Sequence, residues 1–126
     1  MEPRSWNAFV DLLSDSSYES LGEKGRVAYR AFWYDAEVQR GGHERYLAHR
    51  AETLDETLLA LDELGAGAQR AILEQARAAA AAGAVERKQQ LEALDAAYHA
   101  CEPDVPELLA AFLDRHLEEF GELDLE

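Results

Sequence analysis

Carboxylates are the groups whose types and spacing in this chain could most readily do chemistry. Asp114, Glu118 and Glu122 stand four residues apart, Glu107 stands seven before Asp114, and Glu119 adds to the run. On an α-helix a step of four residues rises about 6 Å, comparable to the distance between successive phosphates along a nucleic-acid strand. Such a ladder could imitate a nucleic-acid backbone. Asp55, Glu56, Asp62 and Glu63 form a second acidic group with a seven-residue repeat. The same carboxylates would equally serve as a solvated face that keeps an Ala-rich protein in solution. Either way, like charges four apart cost a helix about 0.2–0.5 kcal/mol each.

Other reactive side chains are sparse. Glu37, Arg40, His43 and His49 gather around Gly41-Gly42, where Glu37 and His43 offer either an acid–base pair or a helix-end contact that orders the turn. His43 and His49 are six apart and so do not share a helical face, and His99 and His116 fall on separate helices. No His-Glu-x-x-His, cysteine cluster or calcium loop is present, so no metal or other cofactor is expected. Gly-x-Ser-x-Gly and phosphate loops are also absent. Cys101, the sole cysteine, reads as a small core residue rather than a nucleophile. The aromatic group Tyr29, Phe32, Trp33, Tyr34 and Tyr46 could stack bases, but core packing suits it better, with Tyr34 showing its hydroxyl to solvent.

Charge decides between some of these. The 126 residues hold 26 acidic and 12 basic side chains, a net −14, which argues against direct binding to nucleic acid or anionic membrane. The imbalance is uneven: residues 91–126 sum to −10 and residues 51–64 to −5, whereas residues 24–50 sum to +3. A partner with a basic surface follows, and salt should weaken that contact. With 48% hydrophobic residues the chain has the means to fold,. No secretory signal or spanning segment is visible and the lone cysteine fits a reducing compartment, so a cytoplasmic address is expected.

The elements that must position these groups are helical. Ala (23), Leu (18) and Glu (17) dominate, whereas Val (5), Ile (1) and Thr (2) are scarce, which favours helix over strand. Trp6, Phe9, Val10 and Leu13 mark a first helix capped by Ser5. A second runs from about Glu23 to Gln39, with Val27, Tyr29, Phe32, Trp33, Ala36 and Val38 inward, and Gly41-Gly42 ends it. A short segment covers His43 to Arg50. Thr53 and Glu56 have capping-box spacing before a helix with Leu54, Leu58, Leu61 and Leu64 on one side. Further helices span about Gly67 to Ala82 and Val85 to Cys101. Asp104-Val105-Pro106-Glu107 opens the last, whose stripe is Leu108, Leu109, Phe112, Leu113, Leu117 and Phe120. The expected fold is a single all-α domain over residues 1–126, a bundle of about six or seven helices.

One stretch is more specific than helix punctuation. Glu37-Val38-Gln39-Arg40-Gly41-Gly42-His43-Glu44-Arg45-Tyr46-Leu47, with the later Leu61-Asp62-Glu63-Leu64-Gly65-Ala66, resembles the signature of a bacterial family named after the C-terminal domain of a DNA-mimic protein. The resemblance runs from about Trp6 to Ala82. The family usually has Asn at the position of Arg40, Phe at that of His43, and Asn at that of His49. It implies the same all-α fold, a non-enzymatic role imitating DNA to a DNA-binding protein such as a transcription factor, and a homodimer as one arrangement. On that reading Asp55, Glu56, Asp62, Glu63, Asp114, Glu118, Glu119 and Glu122 face the partner, while Glu37, Gly41, Gly42 and His43 build the motif turn. Two alternatives stay open: a small-ligand binder or enzyme beside the turn, and a subunit of a larger assembly marked by an exposed Leu or Phe patch.

Overall fold

Small residues along one face let the helix Glu23–Arg50 sit at the centre of the molecule. The structure, a computed structural model, describes residues 3–116, with side chains from Trp6 onward. Six α-helical segments occur in this range: α1 (Pro3–Asp15), α2 (Glu23–Arg50), α3 (Leu54–Leu64), α4 (Gly67–Ala79), α5 (Ala84–His99) and α6 (Val105–Arg115). Short 3₁₀ turns at Tyr18–Ser20 and Ala51–Thr53 flank α2. No strand appears among the described residues, and the fold is all-α. None of their helices is long and apolar enough to cross a membrane.

Helix α2 touches every other helix. Its inward line is Gly25, Ala28, Ala31, Tyr34 and Val38, rather than the aromatic-rich side expected from composition. Val27, Tyr29 and Phe32 are only partly buried and pack on the flanks of the core, and the half-buried Trp33 lies against Phe32 and donates to the Leu13 carbonyl. The reason is steric: alanine on the central line allows neighbouring helices to approach closely, which pushes the large rings to either side. Phe9, Leu13, Leu61, Leu64, Leu109, Phe112 and Leu113 fill the space around that line. Truncating a fully buried ring such as Phe112 would cost roughly 3–5 kcal/mol. A smaller cluster, Ala76, Ala79 and Leu91 with Leu47 and Leu94, joins α4 to α5.

Helix ends follow local chemistry with two exceptions. Gly65 closes α3 in the left-handed conformation (φ 79°, ψ 23°), and the Asp104 carboxylate caps α6 by accepting the Glu107 N–H at 2.9 Å. The Thr53–Glu56 capping box does not form. The Thr53 hydroxyl turns back to donate to the Arg50 carbonyl at 2.8 Å, and Glu56 reaches across to Arg30. Helix α1 starts at Pro3, two residues before Ser5. Leu117 and Phe120, expected to extend the apolar stripe of α6, lie outside the described residues.

Candidate functional site

At Gly41-Gly42 a kink divides α2 into two helical stretches, as the paired glycines suggested. Gly41 has φ −161° and ψ 20°, and Gly42 has φ 72° and ψ −173°. The second pair falls in a region that is essentially closed to residues with a Cβ. A Cβ on Gly42 would also collide with the Asp95 carboxylate. The paired glycines therefore bend α2 and let α5 come in close.

His43, the next residue, is fully buried. Its backbone N–H donates to Asp95 Oδ1 at 2.8 Å, and its ring lies with Nδ1 2.7 Å from the same oxygen. An acceptor on Nδ1 fixes the proton there, so Nε2 accepts from the Tyr34 hydroxyl at 2.7 Å,. Burial holds the His43 pKa below its ordinary value; the Asp95 hydrogen bond and charge oppose this, and His99 adds to it. Tyr34 is fully buried as well, so its hydroxyl faces His43 and not solvent. Burial raises its pKa well above the usual phenol range. Tyr98 stacks edge-on against both rings and donates to Asp35 Oδ1 at 2.6 Å. Tyr46 completes the group, donating to Thr57 at 2.9 Å.

Glu37 and His43 do not meet as an acid–base pair. Glu37 is only 4% exposed and faces the other way, with Arg45 Nε at 3.1 Å, His49 Nδ1 at 3.3 Å and Arg50 Nε at 3.4 Å. Burial would raise its pKa, but the Arg45 hydrogen bond and the charges of Arg45, Arg50 and His49 outweigh it and leave the carboxyl below its ordinary value. The Arg50 guanidinium also lies over the Trp33 ring at 4.6 Å. Arg40 is exposed and belongs to neither set. Glu37 and His49 thus share one network and His43 lies on another, closed to solvent at its ring, while Arg40 stands apart. Among the described residues, no group of three His, Cys, Asp or Glu side chains could hold a metal ion.

The acidic groups divide sharply. On α3 every candidate carboxylate meets a cation: Asp55 with Arg77 at 2.8 Å, Glu56 with Arg30 at 2.7 Å, Asp62 with Arg70 at 3.1 Å and Glu63 with Lys24 at 3.4 Å, Arg70 being shared with Glu74. The seven-residue repeat is thereby explained as two columns, Glu56 and Glu63 toward α2, Asp55 and Asp62 toward α4. With Glu74, five carboxylates share four cations here, so most of the acidic charge of this face is compensated. On α6, by contrast, Glu107 and Asp114 are exposed, and neither side chain has a basic partner among the described residues. Glu118, Glu119 and Glu122 lie outside the described residues.

Sequence reasoning missed Asp95, Asp35, Tyr98, Arg45 and Arg50 as parts of these networks. Asp95 stands 52 residues from His43, and its helix shows no local sign of a buried partner. The only available hint was the histidine itself, a polar ring where the resembled family usually has Phe and therefore one that needs an acceptor.

The sequence profile of a family described as DMP19-like protein matches residues 19–116. The match reaches further along the chain than the sequence resemblance, taking in α5 with Asp95 and all of α6. No curated protein and no solved structure matches the chain.

Proposed function

The chain belongs to the DMP19-like protein family, and from that premise we propose that it is a non-enzymatic interaction protein that imitates DNA. Its carboxylates would occupy the basic face of a DNA-binding protein and displace nucleic acid from it. The observation that carries this reading is the acidic face of α6, where neither Glu107 nor Asp114 forms an ion pair among the described residues. Both side chains are exposed, about 10 Å apart along the helix axis. A basic partner gains there because the charges are free to pair. On α3 it would first have to break ion pairs that are already made.

The ion pairs on α3 give Asp55, Glu56, Asp62 and Glu63 a supporting role. They can exchange partners cheaply, since exposed ion pairs contribute about 0–1 kcal/mol each, but their neighbouring cations weaken the field they present to a distant protein. A site beside Gly41-Gly42 is the weaker reading, because His43 has both ring nitrogens and its backbone N–H satisfied within the fold.

The test is affinity capture with the full chain at low salt, followed by identification of what binds and elution with duplex DNA. A DNA-binding protein released by DNA and by salt is the expected result. Failure to capture such a protein, or capture indifferent to DNA, contradicts the proposal.

A further inference from the structure

A groove of about 480 Å³ lies between the N-terminal half of α2 and the outer face of α3, with Tyr18, Leu21, Val27, Leu59 and Ala60 as its apolar lining. Leu59 is 65% exposed, although Leu54, Leu58, Leu61 and Leu64 of the same helix are buried. It lies three residues after Glu56 and four before Glu63, so these three share one face of α3. Both glutamates reach across to α2, Glu56 to Arg30 and Glu63 to Lys24. An exposed leucine thus stands between two ion pairs that join the walls of the groove.

The walls have opposite signs. On the α2 side Lys24, Arg26 and Arg30 outnumber Glu23, and on the α3 side stand Glu56 and Glu63. One end is stiff, because Arg26 donates to the carbonyls of Tyr18 and Glu19 and Arg30 lies 3.8 Å from the centre of the Tyr18 ring. A nucleic acid or a purely basic surface would oppose one of the two walls. A chain segment with apolar residues along its middle and unlike charges on its edges would match both.

We propose that this groove is the docking site for an amphipathic helix of a protein partner. An apolar side chain of that helix covers Leu59, its acidic edge lies along α2, and its basic edge lies along α3. The ion pairs of the rim, in which the glutamates are half exposed and Lys24 and Arg30 more covered, exchange partners as the helix seats. The site is separate from the acidic face of α6 and stands without it.

Three synthetic helical peptides test the proposal, identical in their leucine stripe but flanked by Glu on one edge and Lys on the other, by Glu on both, or by Lys on both. Fluorescence anisotropy with the full chain should show the mixed peptide binding at least tenfold more tightly than either of the others. Leu59→Asp, which alters an exposed position and should lower the urea midpoint only modestly through the neighbouring carboxylates of α3, should weaken it at least tenfold. Glu107→Lys with Asp114→Lys should leave it unchanged, which keeps this outcome distinct from that of the acidic face. Preferred binding of the all-Lys peptide, equal binding of the three, or indifference to Leu59→Asp would overturn the proposal. So would a concentration-dependent dimer abolished by Leu59→Asp, because the groove would then belong to a second copy.

Discussion

One oxygen of Asp95 accepts both the backbone N–H and the ring Nδ1–H of His43, at 2.8 and 2.7 Å. That double contact fastens α5 to the bend of α2. It matters because α5 buries few apolar side chains of its own, Leu91 and Tyr98 among its sixteen residues. Polar contacts to α2, from Asp95 and from Tyr98 to Asp35, therefore share the task of holding it in place.

Gly42→Ala should be among the most damaging single substitutions. The new Cβ meets the Asp95 carboxylate and the backbone is in a conformation alanine avoids. A loss of at least about 2–3 kcal/mol is expected in urea unfolding. Gly65→Ala is the control: φ is also positive, but no atom stands within 4 Å of the added methyl, so about 1 kcal/mol is expected. Equal costs at both positions would show that the approach of Asp95 is unimportant.

His43 and Asp95 should be energetically coupled. His43→Phe alone takes the ring donor from Asp95 and strands the Tyr34 hydroxyl, and Asp95→Leu alone strands the buried imidazole donor and the backbone N–H of residue 43, each costing about 1–3 kcal/mol,. The double variant should recover about 1–3 kcal/mol relative to the sum of the two. Additive losses in a double-mutant cycle would contradict the coupling.

The same network sets a pH dependence. His43 titrates near 6.5 when unfolded and lower in the fold, chiefly through burial. The unfolded chain therefore binds more protons just below pH 6.5, and stability falls as pH drops through that window. Glu37, with its lowered pKa, adds a further loss at more acidic pH as it becomes protonated. Asp35 acts in the opposite sense: burial raises its pKa, so its contribution is greatest at low pH and is lost as pH rises through the folded value. Urea midpoints taken between about pH 7.5 and 5.5 should fall for the wild type and fall less for His43→Phe with Asp95→Leu. Parallel curves would exclude His43 as the source.

Much of the architecture was legible because it is written in local pattern. The leucines of α3, Gly65 at its end and the Asp104 cap on α6 all follow from spacing within a turn or two. The Gly41-Gly42 break was legible as well, but the reason for it was not. Gly42 is required by Asp95, whose distance along the chain no periodicity records. Tyr34 was misplaced for a related reason: a tyrosine on an aromatic-rich helix offers no sign that a histidine nine residues later will take its hydroxyl. The seven-residue acidic repeat on α3 was visible, whereas its neutralisation by Lys24, Arg30, Arg70 and Arg77 depends on helix order in space.

The compensated carboxylates of α3 should matter little one at a time. Asp55→Asn, Glu56→Gln, Asp62→Asn and Glu63→Gln each remove one exposed ion pair, so each should cost less than about 1 kcal/mol in urea unfolding. Their effect on partner binding should be correspondingly small. A loss above about 2 kcal/mol from any of them would show that these pairs hold the fold together.

The account rests on the exposed carboxylates of α6, Glu107 and Asp114, and is tested most directly by competition. A captured DNA-binding protein is loaded with fluorescent duplex DNA, and the full chain is titrated in while anisotropy is followed. Wild type should displace the duplex, with an apparent affinity that falls as salt rises. Glu107→Lys with Asp114→Lys should weaken displacement at least tenfold while leaving the urea midpoint nearly unchanged. Displacement that is equal for the two proteins, or absent for both, would contradict the claim that this face stands in for DNA.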